Sequence, residues 1–408
     1  MKVAERLIKY ILLFAYVWFM FVPEEICKTI FPAYAFNHNA IVMVIVLIVF
    51  LYSIRKKIQF NRQLITIIIF CVYVISNTAI HKGEISYSIL MYSRVIATSL
   101  LIFTIIRKRD LISLKALTFS LTLLVTLNLI SIISGVDRLI YSSLGHTFLL
   151  GFDNSNVIVV FPALIMNYFV NYLERDGEIS FRLILSWVLT VISIIFIDSA
   201  TTTLGFFIFV IMILTYKHEL IKYINRKTLF VIVLMAFFFI VIFRLQNMFS
   251  VIIVNMLGRD ITLTGRIALW DKAFRGISES PFLGHGINPE AQRLYFFGVS
   301  SAHSEILDIL YQHGIVGLAL YVWIFVEYFR TEKKRMDKSR KLFVRTIDSM
   351  IFSFLVMMIA ESYNSYISYG LIFMIIMISS LMSSNIDWEV KYEKTIKIFE
   401  KKHRFFVH

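Results

Sequence analysis

Cysteine is almost absent from this 408-residue chain, which has two, Cys27 and Cys71. One sits near an expected membrane surface and the other inside an apolar run, so they build neither a disulfide framework nor a thiolate metal site. No spacing of His with carboxylates supplies metal ligands in their place. Internal repeats are lacking too, as is any low-complexity segment beyond the apolar runs, so the paired halves common among transporters are not legible. Charge is scarce, at 17% of residues against 58% hydrophobic, and Phe alone contributes 38. That balance excludes a water-soluble domain of this length and predicts an integral membrane protein.

Apolar runs of roughly bilayer-crossing length fall at residues 7–22, 40–54, 64–80, 87–106, 116–134, 156–173, 183–198, 199–216, 228–245, 306–328, 346–363 and 365–384. They predict an all-α polytopic membrane protein with about 12 transmembrane helices. The runs 40–54 and 183–198 are short, and only Glu361-Ser362-Tyr363-Asn364-Ser365 separates the last two. Ala33-Tyr34-Ala35 has the small-residue pattern of a cleavage site but lies far past the first run, beyond Glu24 and Glu25. The first run therefore reads as an uncleaved span.

The formal charge of +14 does not point to nucleic acid, because the basic residues share no soluble face. Most of the 41 Lys and Arg sit in alternate connections, at 2–9, 55–62, 107–115, 175–182, 217–227, 330–345 and 391–404. Short basic loops stay cytoplasmic, so both termini are expected on the cytoplasmic side of the membrane and the connection 246–301 outside. The expected organisation is nine helices over 1–245, a large extracytoplasmic loop over 246–302, three more helices over 303–384 and a basic amphipathic cytoplasmic tail over 385–408. In that tail Trp388, Tyr392, Ile396 and Phe399 share one helical side, largely opposite Lys391, Lys394, Lys397 and Lys401. The pattern suits an anionic inner leaflet and plain solvation equally.

The outer loop is the longest polar break in the chain. Within it, Ile267, Trp270, Phe274 and Ile277 recur at spacings of three and four, predicting a short amphipathic helix over 264–278 on the membrane surface. Arg266, Lys272 and Arg275 occupy its other sides, and Arg259 and Arg293 belong to the same loop. A guanidinium keeps its charge when partly buried and grips a phosphate or diphosphate at two points, which makes a phosphorylated lipid the natural ligand. Contact with ordinary headgroups is the plain alternative, above all for Lys272, Arg275 and Arg293. The run Pro281 to Gly286 predicts a tight turn back toward the membrane rather than a phosphate cradle.

His303 follows the small residues Val299-Ser300-Ser301-Ala302 and leads into Ile306, Leu307 and Leu310. It is expected in the first turn of a membrane-entering helix, whose positive end favours a neutral imidazole able to accept a proton. A base beside an Arg-bound diphosphate is what glycosyl transfer needs. His285 and His313 are expected to be structural. Arg94, about a third of the way along its span toward the expected outer end, is a further candidate for the diphosphate. Arg244 and Asp198 lie at outer span ends, and 151–156 is expected to cap the helix that follows.

Taken in order, Thr264-Gly265-Arg266 with Trp270, the turn with Pro281, Gly284 and Gly286, and Ala302-His303-Ser304-Glu305-Ile306-Leu307 followed by Gly314 and Gly317 resemble the bacterial O-antigen polymerase and O-antigen ligase superfamily. The resemblance covers roughly the C-terminal third. It implies a metal-independent, cofactor-free inverting transferase that uses undecaprenyl-diphosphate-linked glycans, with Arg266 at the diphosphate and His303 at the acceptor hydroxyl. Arg94, Arg244, Arg259, Arg275 and Trp270 are the candidate substrate contacts. Many members carry an Arg in a short outer loop where this chain reads Asp198-Ser199-Ala200-Thr201-Thr202-Thr203, which would leave that task to Arg94 or Arg244. Ser304 stands where the family's typical Asn follows the His.

The expected activity is a polymerase that joins lipid-linked repeat units into a capsular, exopolysaccharide or O-antigen chain on the outer membrane face. A ligase moving a finished glycan to another acceptor is the near alternative, and a lipid-linked oligosaccharide transporter the alternative of another class. The expected partners are the undecaprenyl-diphosphate-linked oligosaccharide, membrane lipids, and a chain-length regulator and flippase of the same pathway, with no nucleic acid.

Overall fold

The computed structural model describes residues 2–22, 37–57, 59–134, 147–148, 151–175, 178–197, 199–215, 225–245, 265–331 and 338–383. Cys27, Asp198, Arg259, Thr264 and the tail 385–408 lie outside the described residues. Helices cover each of the twelve apolar runs: α1 (Lys2–Phe21), α2 (His38–Arg55), α3 (Arg62–Ile80), α4 (Ile85–Arg107), α5 (Leu111–Ser134), α6 (Asp153–Arg175), α7 (Phe181–Phe196), α8 (Ala200–Leu214), α9 (Arg226–Phe237), α12 (Glu305–Arg330), α13 (Lys338–Met357) and α14 (Tyr366–Ser383). Two further helices, α10 (Arg266–Glu279) and α11 (Glu290–Phe297), lie in the long connection between α9 and α12. Among the described residues, one β ladder pairs Thr147–Phe148 with Gly151–Phe152.

The protein is a polytopic all-α membrane protein. Among the described residues, seven helices, α2, α3, α4, α5, α6, α12 and α14, are long and apolar enough to cross a bilayer. The other five are shorter, as α7 and α8 are, or carry charge, as α1 does at Glu5. Helix starts follow ordinary capping chemistry: the side chains of Asn61, Ser180, Ser199 and Asn225 accept from the backbone N–H three residues on.

Three helices form the centre. The span windows of α4, α6 and α14 are 78%, 83% and 89% buried, against 22% for α2, so α2 lies at the periphery and the three others lie inside the bundle. Helix α14 packs on α4, α6 and α13, while α1 pairs with α5, α3 with α4 and α12, and α8 with α13. A helix apolar all round, such as α14, has no other stable place than the middle of a bundle.

At the end of the bundle opposite α10 and α11, a buried ion pair ties four helices. Arg226, at the start of α9, donates its Nε to both oxygens of Asp348 on α13, at 3.1 and 3.0 Å. Its Nη1 donates to the Tyr328 carbonyl of α12 at 3.0 Å, and its Nη2 to Ser379 and Ser383 of α14 at 2.8 and 2.9 Å. By sequence Arg226 counts with the basic residues of a loop, but its 2% exposure makes it a core residue.

The described part of the connection between α9 and α12, residues 265–304, is built differently from its sequence reading. Helix α10 matches the expected amphipathic segment, but its apolar side is buried in protein rather than laid on the membrane surface. Trp270 and Ala273 join Val233, Phe237, Phe297, Leu307 and Tyr311 in a second hydrophobic cluster, separate from the bundle core. Helix α9 belongs to this cluster directly and continues into a π-helical extension, Phe238–Ile242, which adds Val241 and in which Phe243 N–H bonds back to the Phe238 carbonyl.

Residues 281–287 re-enter the bundle and fill a break in α12. Gly314 has φ +63 and ψ −168, which interrupts the helix. The groups freed by the break are taken up by the turn: His285 N–H and Gly286 N–H donate to the Tyr311 and Gln312 carbonyls, and Ile315 and Val316 N–H donate to Pro281 and Phe282. Asn77 and Tyr73 of α3 complete the pairing by donating to Leu283 O and His313 O. Backbone at this depth must satisfy itself, and here two irregular segments do so for each other. The approach demands glycine: a Cβ on Gly284 would sit 2.5 Å from Gln312 C, and one on Gly314 would sit 2.2 Å from Phe282 O.

Candidate functional site

Arg266 begins α10, directly after Gly265 in a left-handed conformation. Its Nη2 donates to Glu361 Oε1 in the turn between α13 and α14. His303 Nδ1 lies 3.3 Å from the other oxygen, Oε2. Thr201, in the first turn of α8, adds a third donor, 3.3 Å from Oε1. The Glu361 side chain is 5% exposed while those of Arg266 and His303 are 20% and 33% exposed, so the carboxylate lies beneath two groups that solvent or a ligand can reach.

His303 is not in the first turn as expected. Helix α12 begins at Glu305 with Ser304 as its cap residue, and His303 precedes it with φ +50, a left-handed conformation uncommon outside glycine. That twist turns the imidazole away from the helix axis and toward Glu361. The helix start itself is held by two buried acids. Glu305 accepts from Tyr363 N–H at 2.7 Å and from the Tyr369 hydroxyl, and Asp308 accepts from Ala302 N–H at 2.9 Å and from Ser362. Acids suit this position because the first turn presents unpaired N–H groups and the positive end of the helix. Three of these contacts, to Ala302, Ser362 and Tyr363, clamp both segments that carry site residues, 302–303 and 361–363, and the fourth ties Glu305 to α14. Glu305 N–H adds a bond to the Glu361 carbonyl at 3.1 Å.

The other candidates separate. Trp270, expected to touch substrate, has 0% exposure and its indole N–H has no hydrogen-bond partner among the described residues. It is a packing residue, four positions along α10 from Arg266. Arg275, nine positions from Arg266, falls about half a turn round the helix and is exposed on the far side. Arg244 is engaged by Asp271 of α10 and staples that helix to the end of α9. Arg94 is 2% exposed, with Nη2 donating to His38 Nε2 at 3.2 Å and the guanidinium 4.1 Å from the Tyr366 ring centroid. It sits beneath the start of α14, beside α2, and does not join the Arg266, His303 and Glu361 group. Arg259 lies outside the described residues.

Lys272 and Arg293, for which the sequence left phosphate and headgroup contact both open, donate to the Phe297 and Ser300 carbonyls within the loop. His285 Nε2 bonds to the Gly276 carbonyl and its ring lies against Tyr311, and His313 is 2% exposed, with Tyr73 donating to its backbone carbonyl. Glu361 and Thr201 were not legible as site residues. The available signals were an acid alone in a turn between two apolar runs, and a polar triplet where an Arg was looked for. Among the described residues no three His, Cys, Asp or Glu side chains gather as a metal site would need.

Residues 185–322 match the family model described as O-antigen ligase, a segment that includes both Arg266 and His303. That match, over about a third of the chain, supports the resemblance to the O-antigen ligase and polymerase superfamily. It is also similar to the exopolysaccharide production protein ExoQ of Rhizobium meliloti (strain 1021), at 31% identity over 98 residues. That alignment covers 21% of this chain and spans only 22% of the relative's length. Glu361 lies beyond the segment that carries the superfamily match, whereas Thr201 lies within it.

Proposed function

We propose that the protein is a membrane glycosyltransferase that joins undecaprenyl-diphosphate-linked oligosaccharide units into a longer glycan. One observation carries this: a guanidinium and an imidazole, brought from separate elements, meet on one buried carboxylate and remain open on their outer side. Arg266 binds the diphosphate of the donor lipid through its fork of donors and stabilises the charge that develops as the sugar leaves. His303, with Nδ1 turned to Glu361, presents Nε2 to the acceptor hydroxyl. The hydroxyl oxygen forms a bond to the anomeric carbon, its proton passes to Nε2, and the bond from that carbon to the diphosphate breaks. Undecaprenyl diphosphate departs with the electron pair. The site end of the bundle faces the outside under the orientation that the basic connections favour.

Transfer of a finished glycan to a different acceptor is supported by the description of the matched family. It uses the same donor chemistry. The test is to supply purified protein, and its His303→Ala form, with undecaprenyl-diphosphate-linked repeat units and to separate products by size. A ladder of lengthening lipid-linked glycans from the wild type alone is expected. A single product, formed only when a second acceptor is added, would replace polymerisation with ligation, and unchanged substrate in both cases would remove the transferase.

A further inference from the structure

The geometry points to Glu361 as a positioning residue that exchanges partners: it holds Arg266 while no donor is bound, and serves His303 once a lipid diphosphate has taken the guanidinium. This rests on the glycosyl-transfer function above and adds a residue outside the matched segment. The two carboxylate oxygens divide the work. Oε1 accepts from Arg266 and Thr201, and Oε2 faces His303 Nδ1.

Which side moves is decided by burial. Glu361 is pinned through its own carbonyl to Glu305 N–H, and its neighbours Ser362 and Tyr363 are tied to Asp308 and Glu305. Arg266 is a long side chain at the first position of a helix, four times as exposed as the acid, at 20% against 5%. A diphosphate carries more charge than one carboxylate and matches the fork at two points, so it draws the guanidinium outward while Glu361 stays. The carboxylate, relieved of its strongest donor, is then left to orient His303 and to stabilise it as it gains a proton. Donor binding thereby completes the base, and the acceptor is activated only after the leaving group is held.

The probe is undecaprenyl diphosphate, without glycan, binding to the full-length protein in lipid nanodiscs. Glu361→Gln keeps shape and removes the competing charge, so its Kd is expected to tighten by about tenfold. In turnover the same variant is expected to lower KM and to lower kcat by about 100-fold, a split that a merely structural role would not produce. General electrostatics is separated by a double-mutant cycle, since the gain should vanish in an Arg266→Gln background. Thr201→Val takes a donor from Oε1 without adding bulk, leaves Glu361 to hold Arg266 harder, and is expected to weaken binding about threefold.

Wild-type binding with no tightening in Glu361→Gln, or with equal tightening in the Arg266→Gln background, overturns the exchange and leaves the transferase standing. Should Glu361→Gln fail to accumulate, an unchanged Kd in Thr201→Val overturns it alone. No binding to the wild type or to any variant overturns both the exchange and the function on which it rests.

Discussion

Arg266 and Glu361, 95 residues apart in the chain, are in direct contact through Nη2 and Oε1. The contact joins the first residue of α10 to the turn before α14, and it makes the guanidinium's fork geometry testable. Arg266→Lys keeps the charge but cannot reach two phosphate oxygens in one plane. Its kcat/KM on lipid-linked repeat units is expected to fall about 10- to 100-fold, the loss of one to two charge-assisted hydrogen bonds. Near-normal turnover would mean that Arg266 only anchors the loop.

His303→Ala is expected to lower kcat by about 100- to 10,000-fold, the range for a lost general base. Membrane abundance should not change, because the imidazole is a third exposed and the helix start is held by Glu305 and Asp308 instead. Quantitative immunoblotting of membranes beside the polymer assay separates the two effects. Polymer of normal length from this variant would take His303 out of the chemistry.

The re-entrant turn predicts a graded glycine series. Gly298 has φ +85 with only the Lys272 ammonium near its would-be Cβ, so Gly298→Ala should cost about 1 kcal/mol of conformational strain. Gly314→Ala adds a collision with the Phe282 carbonyl to a φ of +63 and should cost several times as much. Thermal unfolding in detergent should show a small drop in Tm for the first and a large one for the second. Equal drops would mean that the turn does not fill the break in α12.

Breaking the Arg226–Asp348 pair should be strongly destabilising although it lies at the far end from the site. Asp348→Ala leaves a guanidinium buried without its carboxylate, at a cost of about 3–5 kcal/mol. Arg226→Met combined with Asp348→Leu should recover much of that loss. A double variant no more stable than Asp348→Ala would show that the hydroxyl and carbonyl partners of Arg226, not the ion pair, hold α9, α12, α13 and α14 together.

Two substitutions on α10 should leave catalysis alone. Arg275→Ala alters an exposed side chain half a turn from Arg266 and is expected to retain activity within twofold, about the scatter of a neutral surface change. Trp270→Phe preserves most of the packing and loses no hydrogen bond, because the indole N–H has no partner among the described residues. It should retain turnover while lowering stability by about 1–2 kcal/mol through the small cavity it leaves. A large rise in KM for either would restore a substrate contact.

The helical bundle was readable because hydrocarbon imposes one rule on every span: each apolar run that composition marked carries a helix, from α1 to α14. The amphipathic repeat of Ile267, Trp270, Phe274 and Ile277 likewise located α10 to within two residues. What that repeat does not encode is the partner of the apolar side. It is the same whether the stripe meets lipid or protein, and here Trp270 meets Val233, Phe237 and Tyr311. Arg94, Arg244 and Arg275 looked alike as cations near one membrane face, and only their neighbours, His38 and Tyr366, Asp271, and open surroundings, tell them apart.

By itself the sequence determined the membrane class, the positions of the helices, and the pairing of an Arg with a His on either side of a glycine-bearing turn. These follow from composition and local periodicity, which act over a few residues. The tertiary structure decided that Glu361 and Thr201 complete that pair, that Trp270 does not, and that the turn at 281–287 seals a break in α12. Each of those depends on which segments meet across the bundle, and a contact between residues 95 or 160 positions apart leaves no local pattern from which to read it.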